Sequence, residues 1–502
     1  MPVCNPPRAS SPIGQASTSC LRKFTIHFRR PKKLKEKSNY SYRGEYGFDW
    51  LRDEYIYPIK KVAFEEVVNP NMPTPIDKCI ALCRKPDLLR QEYLKDVEPQ
   101  GKKFKPHGQD YYPAWLSIFA CNVTNKKANP NAGSTMHKDG VYLDLQLDEI
   151  DKIINDGTEI YFKPSEPCLK ITPEKISISE FLKTSKKKRI LNNNIDKPPV
   201  INYYLLQNAV RIMCQEDTLQ QHGKIKVFAK LGSTEYEVGR LMVYENNNIG
   251  KADIFVVNVI TDYIANNQVA PKSRPPLDYL YKFQSFNQAM IRAEVRAIEN
   301  FDLKALEKET KDSDITLFLK DAKNPLYIDN DKVPDPEDLT NQRMTNGAVA
   351  ILKRLSALYH KYGKHTTGGN IGLNERKHHN TYLFFTTINS KTNSGIAYGD
   401  PKNNNFEWGN VYMIFNDGLN DEHTIVHEAG HSFSLPHTFS LRLSPHVFQK
   451  GYTDNYMDYP FHLGIDPKSS KIKNVDSEYN NKMYSFFKWQ WDLMRDDPSI
   501  KK

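Results

Sequence analysis

The pattern of hydrophobic and polar positions divides the chain into stretches of different character. Between about residues 140 and 262, apolar and polar residues alternate in four runs, at 142–147, 224–231, 235–244 and 253–261. Alternation with a period of two is typical of β-strands. This stretch therefore predicts a β-sandwich, for which an immunoglobulin-like topology is one option. Residues 1 to about 135 are irregular and rich in aromatic side chains. The stretch from about residue 276 to 310 has a pattern that favours helix.

The rest of the chain mixes helical and strand patterns. Apolar residues recur at helical spacing after the acidic positions 335–338 and predict a long helix, through Val349, Leu352, Leu355, Leu358 and Tyr362. Short β-branched and aromatic runs at 381–388 and 411–415 predict buried strands, and 484–495 is compatible with a closing helix.

These patterns predict a multidomain α+β fold in four parts. Residues 1–135 form an N-terminal mixed region with an accessory or an export and loading role. Residues 136–262 form the β-sandwich, residues 263–312 a helical connector, and residues 313–502 an α/β domain.

Candidate chemistry is concentrated in His-Glu-Ala-Gly-His-Ser-Phe-Ser-Leu-Pro-His at 427–437. On a helix, His427 and His431 project from one face one turn apart and can bind a single metal ion. Glu428 lies roughly 100° round the helix, within reach of a water molecule on the metal, and is placed as a general base. The back of the helix is apolar at every fourth residue, through Ile425, Ala429 and Phe433, and residues 420–421 offer an N-cap.

His437 can reach the same metal ion only if the helix ends before it. On a continuing helix it would lie roughly 240° round from His431. Leu435-Pro436 disfavours helical geometry, so the helix should fail at about Ser434 and let His437 turn back to the metal. Three histidines leave one zinc position open, which predicts a catalytic site for one Zn²⁺ rather than a structural one.

The segment resembles the long zinc signature of the metzincin metalloproteases, and its run His437-Thr438-Phe439 is similar to that of their pappalysin branch. The resemblance implies a methionine turn beneath the metal, which residues 455–459 fit twenty positions after the last histidine. It assigns Met457 to the apolar floor and Tyr459 to the transition-state oxyanion. One position departs from the family pattern: Ser434 stands where the family has a glycine that makes a left-handed turn.

The same resemblance assigns the edge strand that binds an extended peptide by strand addition to residues 395–398. The residues concerned are Gly395, Ile396, Ala397 and Tyr398. Any strand that contains a glycine would look similar.

Composition limits the partners. The chain has 502 residues, a net charge of +10 and seven cysteines. The basic runs at 22–37 and 183–189 lack interleaved aromatics, so solvated surfaces are favoured and no nucleic-acid partner is predicted. No apolar run is long enough to span a membrane, and no signal peptide is recognisable at the start. An odd cysteine count without regular spacing does not indicate a disulfide scaffold.

The N-terminal region resembles the front of effectors of contractile (type VI) bacterial secretion systems. The residues concerned are 25–30 and 47–52. This resemblance implies export by a specialised secretion system and contacts with its components. The alternative is an ordinary accessory domain that packs on the enzyme, with a cytoplasmic location.

The sequence therefore predicts a zinc endopeptidase that acts on protein or peptide substrates, in which Glu428 activates a zinc-bound water. A catalytically inactive, protease-like binding or delivery protein is the alternative from another class. Hydrolysis of a different amide, such as a cell-wall crosslink, would use the same residues.

Overall fold

The structure is a computed structural model that describes residues 20–32, 41–65, 73–99, 102–124, 137–265, 267–338, 343–366, 380–402, 405–466 and 468–502. The helices and strands fall into an N-terminal and a C-terminal half.

The N-terminal half is mainly strand. Its strands are β1 Phe24–Arg29, β2 Gly47–Asp49, β3 Lys60–Lys61, β4 Phe64–Glu65, β5 Thr74–Pro75, β6 Cys79–Ile80, β7 Ala114–Ser117, β8 Ala120–Cys121, β9 Val141–Glu149, β10 Glu159–Pro164, β11 Leu169–Thr172, β12 Lys175–Ser177, β13 Lys187–Ile190, β14 Val200–Gln215, β15 Gly223–Leu231 and β16 Thr234–Val243. Its helices are α1 Asp53–Ile56, α2 Pro86–Leu94 and α3 Ile178–Leu182.

The C-terminal half mixes strands and helices. Its strands are β17 Gly250–Ile260, β18 Tyr263–Ile264, β19 Asn267–Gln268, β20 Ile291–Asp302, β21 Val333–Pro334, β22 Met344–Thr345, β23 Asn380–Phe385, β24 Gly395–Lys402, β25 Asn405–Ile414, β26 Phe461–Ile465 and β27 Ile472–Asp476. Its helices are α4 Leu277–Phe283, α5 Leu303–Thr310, α6 Ser313–Asp321, α7 Pro325–Ile328, α8 Gly347–Tyr362, α9 Glu422–Ser432 and α10 Lys488–Arg495.

A twelve-stranded sheet occupies the N-terminal half. Its main path runs β11-β14-β9-β1-β16-β15-β10-β12, and β2, β7, β8 and β13 pair beside that path. Most pairs are antiparallel, but β1 runs parallel to β16, with Ile26 opposite Gly239. The sheet thus takes strands from the region before residue 136 as well as from the predicted sandwich. The immunoglobulin-like topology stays a prediction.

The C-terminal half contains a five-stranded sheet with the strand order β20-β17-β23-β25-β24. The first four strands are parallel and β24 is antiparallel at the edge. Successive side chains of β23 are buried on opposite faces: Leu383 and Phe385 pack towards α9 and α10, whereas Tyr382 and Phe384 pack towards α6 and α8. Burial on both faces is what a parallel sheet covered by helices requires.

Two sequence-based expectations were wrong in this half. The strand expected at 253–261 in the sandwich is β17, and it pairs with β20 and β23 of the five-stranded sheet. The expected helical connector contains helix only at α4 and α5, because residues 291–302 are strand β20. The alternation of β17 suits either sheet, and only long-range pairing decides between them.

The other elements lie close to their expected places. The long helix α8 begins at Gly347 with Asn346 as its N-cap, so the acidic residues 335–338 precede it rather than start it. The strands expected at 381–388 and 411–415 are β23 and the end of β25, and the closing helix is α10. Within the described ranges, no helix is both long and apolar enough to cross a membrane.

Candidate metal centre and active site

Helix α9 carries the first two candidate ligands and forms as the sequence predicts. Asp421 is its N-cap, and its carboxylate accepts a hydrogen bond from the backbone N–H of His423 at 3.0 Å. The back of the helix, Ile425, Ala429 and Phe433, is completely buried. The helix is therefore fixed by its apolar face while the histidines project from another.

The helix ends in a left-handed turn at Ser434, whose φ is 68°. The N–H of Leu435 donates to the carbonyl of Gly430 at 3.0 Å, and the N–H of Ser434 donates to that of His431 at 3.0 Å. This pair of bonds is the Schellman arrangement, usually made by glycine. The hydroxyl of Ser434 also donates to Asp497 Oδ2 at 2.6 Å, which compensates for part of the strain.

The turn brings the three predicted histidines together. Nε2 of His437 lies 3.0 Å from Nε2 of His427 and 3.2 Å from Nε2 of His431. Tetrahedral zinc with Zn–N bonds of about 2.0–2.1 Å sets its ligand atoms about 3.3 Å apart. All three candidate ligand atoms lie within 4.8 Å of one another, so they can hold one such ion.

Backbone carbonyls fix the tautomers of two of these rings. Nδ1 of His427 donates to the carbonyl of Tyr456 at 2.8 Å, and Nδ1 of His431 donates to that of Leu435 at 2.7 Å. A neutral imidazole that donates through Nδ1 has its lone pair on Nε2. Both Nε2 lone pairs point at Nε2 of His437, which can carry at most one proton and could therefore satisfy only one of them. A cation at this point would accept all three lone pairs.

The rings are also held neutral. Burial lowers the pKa of His431 to about 4. Burial and the neighbouring histidines lower the pKa of His427 and of His437 well below the usual value. Neutral imidazole is the form that binds metal.

The side chain of Glu428 lies between its own helix, α9, and the edge strand β24. Its carboxylate accepts a hydrogen bond from the backbone N–H of Ala397, and burial raises its pKa to about 8. A Cβ on Gly395 would lie 2.6 Å from Cγ of Glu428, so only glycine lets β24 pass this close to the candidate base. The predicted edge strand and the predicted base are therefore in contact.

The four residues assigned to the edge strand do not share one face. Gly395 and Ala397 face Glu428, whereas Ile396 and Tyr398 pack in the core on the α8 side of the sheet. Tyr398 is fully buried and its hydroxyl donates to the carboxylate of Glu337. Ile396 and Tyr398 can therefore contribute to peptide binding only through their backbone.

Met457 lies under the ligand helix. A Cβ on Gly430 would be 2.6 Å from Sδ of Met457, so the thioether packs directly against the turn between the two helical ligands. Its carbonyl accepts a hydrogen bond from the N–H of Thr438 at 3.0 Å, next to His437. The predicted methionine turn is thus in contact with the helix and with Thr438, the residue after the third candidate ligand.

Tyr459 packs against two of the candidate ligands. Its ring centroid lies 5.0 Å from that of His437 and 5.8 Å from that of His427. Burial, Glu428 and Asp458 raise the pKa of Tyr459 to about 12, so its hydroxyl stays protonated near neutral pH. Phe439 stacks on His437 and packs edge-to-face against Tyr459, and all three rings are partly exposed.

Two side chains that sequence reasoning missed contact the candidate ligands. Trp408 of β25 stacks on His431, with ring centroids 4.2 Å apart and planes 16° apart. His423 lies one helical turn before His427, at 5.5 Å between ring centroids. The i, i+4 spacing of His423 was visible in the sequence, but nothing local distinguishes Trp408 from a core tryptophan.

Comparisons with known proteins add no assignment. Neither the protein-family models nor the curated proteins contain a match to this chain. The His427, His431 and His437 group could hold a metal ion.

Proposed function

We propose that this protein is a zinc-dependent endopeptidase of the metzincin type. The observation that carries the proposal is the convergence of three Nε2 atoms, 3.0 and 3.2 Å apart, with the carboxylate of Glu428 held beside them. Two of the rings present their lone pairs because backbone carbonyls hold their Nδ1 protons. Ligands, a base and an edge strand are the parts that hydrolysis of an extended peptide needs.

His427, His431 and His437 would hold the ion. Zinc bound there would acidify a water molecule, polarise the scissile carbonyl and, as a nearby positive charge, favour the ionised form of Glu428. Glu428 then takes the proton of the attacking water and passes it to the leaving amine. Tyr459 is protonated and donates a hydrogen bond to the oxyanion that develops on the carbonyl oxygen.

The edge strand supports a peptide as the substrate. Strand β24 is the last strand of its sheet among the described residues, and it passes directly over Glu428 at Gly395. A substrate chain that pairs with this edge would place its backbone beside the base. An extended peptide fits this arrangement better than a branched cell-wall crosslink does.

The alternative of an inactive, protease-like binding protein rested on Ser434. That residue adopts the left-handed turn with φ of 68°, and His437 reaches the other two histidines. The departure from glycine therefore gives the alternative no support. Export by a contractile secretion system, and contacts of residues 1–135 with its components, stay predictions.

Metal analysis combined with cleavage-site profiling tests the proposal. The wild-type protein should bind one zinc per chain and cleave denatured protein substrates. Glu428→Gln should keep the zinc and lose cleavage by about a hundredfold or more, because it removes only the base. Cleavage that persists in Glu428→Gln, or a zinc-loaded wild type that cleaves no peptide library, would contradict the proposal.

A further inference from the structure

Two arginines from the N-terminal region reach the segment that carries Met457. Nη2 of Arg30, just after β1, lies 2.6 Å from Asp454 Oδ2, and Nη2 of Arg52, just before α1, lies 2.7 Å from Asp454 Oδ1. Asp454 is 4% exposed and Arg52 is 8% exposed. Ser485 Oγ also donates to Asp454 Oδ1 at 2.8 Å. A carboxylate buried this deeply depends on such partners, since leaving it unpaired is strongly unfavourable.

Aromatic rings of the N-terminal region hold the two guanidinium groups in place. Arg30 lies 4.2 Å from the centroid of the Tyr42 ring, and Arg52 lies 4.4 Å from that of Trp50. Stacking on a ring fixes a planar guanidinium without using its hydrogen-bond donors. The arginines are therefore oriented by their own region and present their N–H groups to Asp454.

A second connection reaches the same turn through α10. Asp49 Oδ2 accepts a hydrogen bond from the backbone N–H of Lys488, the first residue of α10, at 2.7 Å. Gln490 of that helix exchanges two hydrogen bonds with the side chain of Asn455, at 2.7 and 3.2 Å. The Oδ1 atom of Asn455 accepts the backbone N–H of Met457 at 2.9 Å.

The turn held in this way contacts two of the candidate ligands. The carbonyl of Tyr456 accepts the Nδ1 proton of His427 at 2.8 Å. The carbonyl of Met457 accepts the N–H of Thr438, the neighbour of His437, at 3.0 Å. A shift of the turn would therefore remove the hydrogen bond that fixes the tautomer of His427, and it would displace His437.

We propose that the segment around Arg30 and Arg52 belongs to the floor of the metal site, and that both arginines are positioning residues for the methionine turn. The segment then has a role inside the protease itself, whatever else residues 1–135 do. The activity part of this inference rests on the proposed function, but zinc affinity and backbone protection can be measured without it.

Arg30→Met and Arg52→Met in the full chain test the inference, because methionine keeps an apolar stem and removes the guanidinium. We expect the zinc Kd to weaken by about tenfold to a hundredfold. Amide exchange at Met457 and Thr438 should become faster in the metal-free and the zinc-loaded protein, and kcat should fall more than KM changes.

Arg240→Met is the matched control, because Arg240 is 2% exposed and pairs with Glu98 and Glu237 in the twelve-stranded sheet. This variant should lose comparable thermal stability while its zinc Kd stays unchanged. If the methionine variants do not fold, Arg30→Lys and Arg52→Lys keep the charge and should show a smaller loss of zinc affinity in the same direction.

Zinc Kd values within about twofold of the control, with unchanged exchange at Met457 and Thr438, would overturn the inference. Failure of the proposed function looks different. In that case the wild type cleaves nothing or binds no zinc, while the exchange of the two amides still responds to the arginine substitutions.

Discussion

Substituting Ser434 by glycine and by alanine separates the backbone strain at the end of α9 from the hydrogen bond of the hydroxyl. Ser434 has φ of 68°, and its Oγ donates to Asp497 at 2.6 Å. A left-handed backbone costs a residue with a Cβ about 1–2 kcal/mol relative to glycine. A hydrogen bond to a charged group contributes about 1.5–3 kcal/mol.

Alanine keeps the strain and loses the bond, so Ser434→Ala should destabilise the turn by about 1.5–3 kcal/mol. Glycine loses the bond but relieves the strain of about 1–2 kcal/mol, and its greater loss of backbone freedom on folding offsets about 0.5–1 kcal/mol of that gain. The turn should therefore be about 1 kcal/mol more stable in Ser434→Gly than in Ser434→Ala. The expected order of stability is the wild type first, then Ser434→Gly, then Ser434→Ala.

Amide exchange of the peptide that covers 427–437 measures this difference locally. The N–H groups of Ser434 and Leu435 are both bonded across the turn, at 3.0 Å each, so their protection reports its opening. A difference of about 1 kcal/mol corresponds to about fivefold slower exchange in Ser434→Gly than in Ser434→Ala. Equal protection, or better protection in Ser434→Ala, would refute the assignment of backbone strain to this residue.

Three further predictions address the base, the buried charges and the metal. Gly395→Ala places a Cβ 2.6 Å from Cγ of Glu428, so turnover should fall by about tenfold or more while the zinc content stays the same. Burial raises the pKa of Asp454, but the charges of Arg52 and Arg30 outweigh burial and hold this pKa below its usual range. The ionised carboxylate therefore stabilises the fold at pH values above its unfolded pKa, and this contribution is lost as the pH falls towards the folded pKa. The Tm of Asp454→Asn should accordingly fall less steeply with decreasing pH than the Tm of the wild type, below about pH 4. Zinc at about a hundred times its Kd should stabilise the folded protein by about 2.7 kcal/mol, seen as a rise in Tm that a chelator reverses; an unchanged Tm would contradict zinc binding at the histidines.

The helix that carries the first two candidate ligands could be predicted because its determinants are local. The N-cap, the apolar back face and the proline that stops the helix all lie within sixteen residues of one another, at 421–436. The helix indeed runs Glu422–Ser432 and turns at Ser434. Spacing within one helix and one turn was enough to bring three side chains to one point.

The placement of β17 and β20 could not be predicted in the same way. Residues 291–302 contain alanine, arginine and glutamate, which favour helix in isolation, yet they form a strand paired along β17. Only tertiary pairing overrides such a preference. The contact of Arg30 with Asp454 is similarly invisible in the sequence, because no local pattern links two residues so far apart in the chain.

The end of α9 does more than redirect the chain towards His437. Leu435 donates its N–H to Gly430, which closes the turn, and its carbonyl accepts the Nδ1 proton of His431 at 2.7 Å. One residue therefore terminates the helix and sets the tautomer of a candidate ligand. A longer helix would remove that carbonyl acceptor as well as the third histidine, since Leu435 would bond within the helix instead. The break at Ser434 is thus required for the hydrogen bond that keeps the lone pair of His431 on Nε2. An unbroken helix with the same three histidines would not make this site.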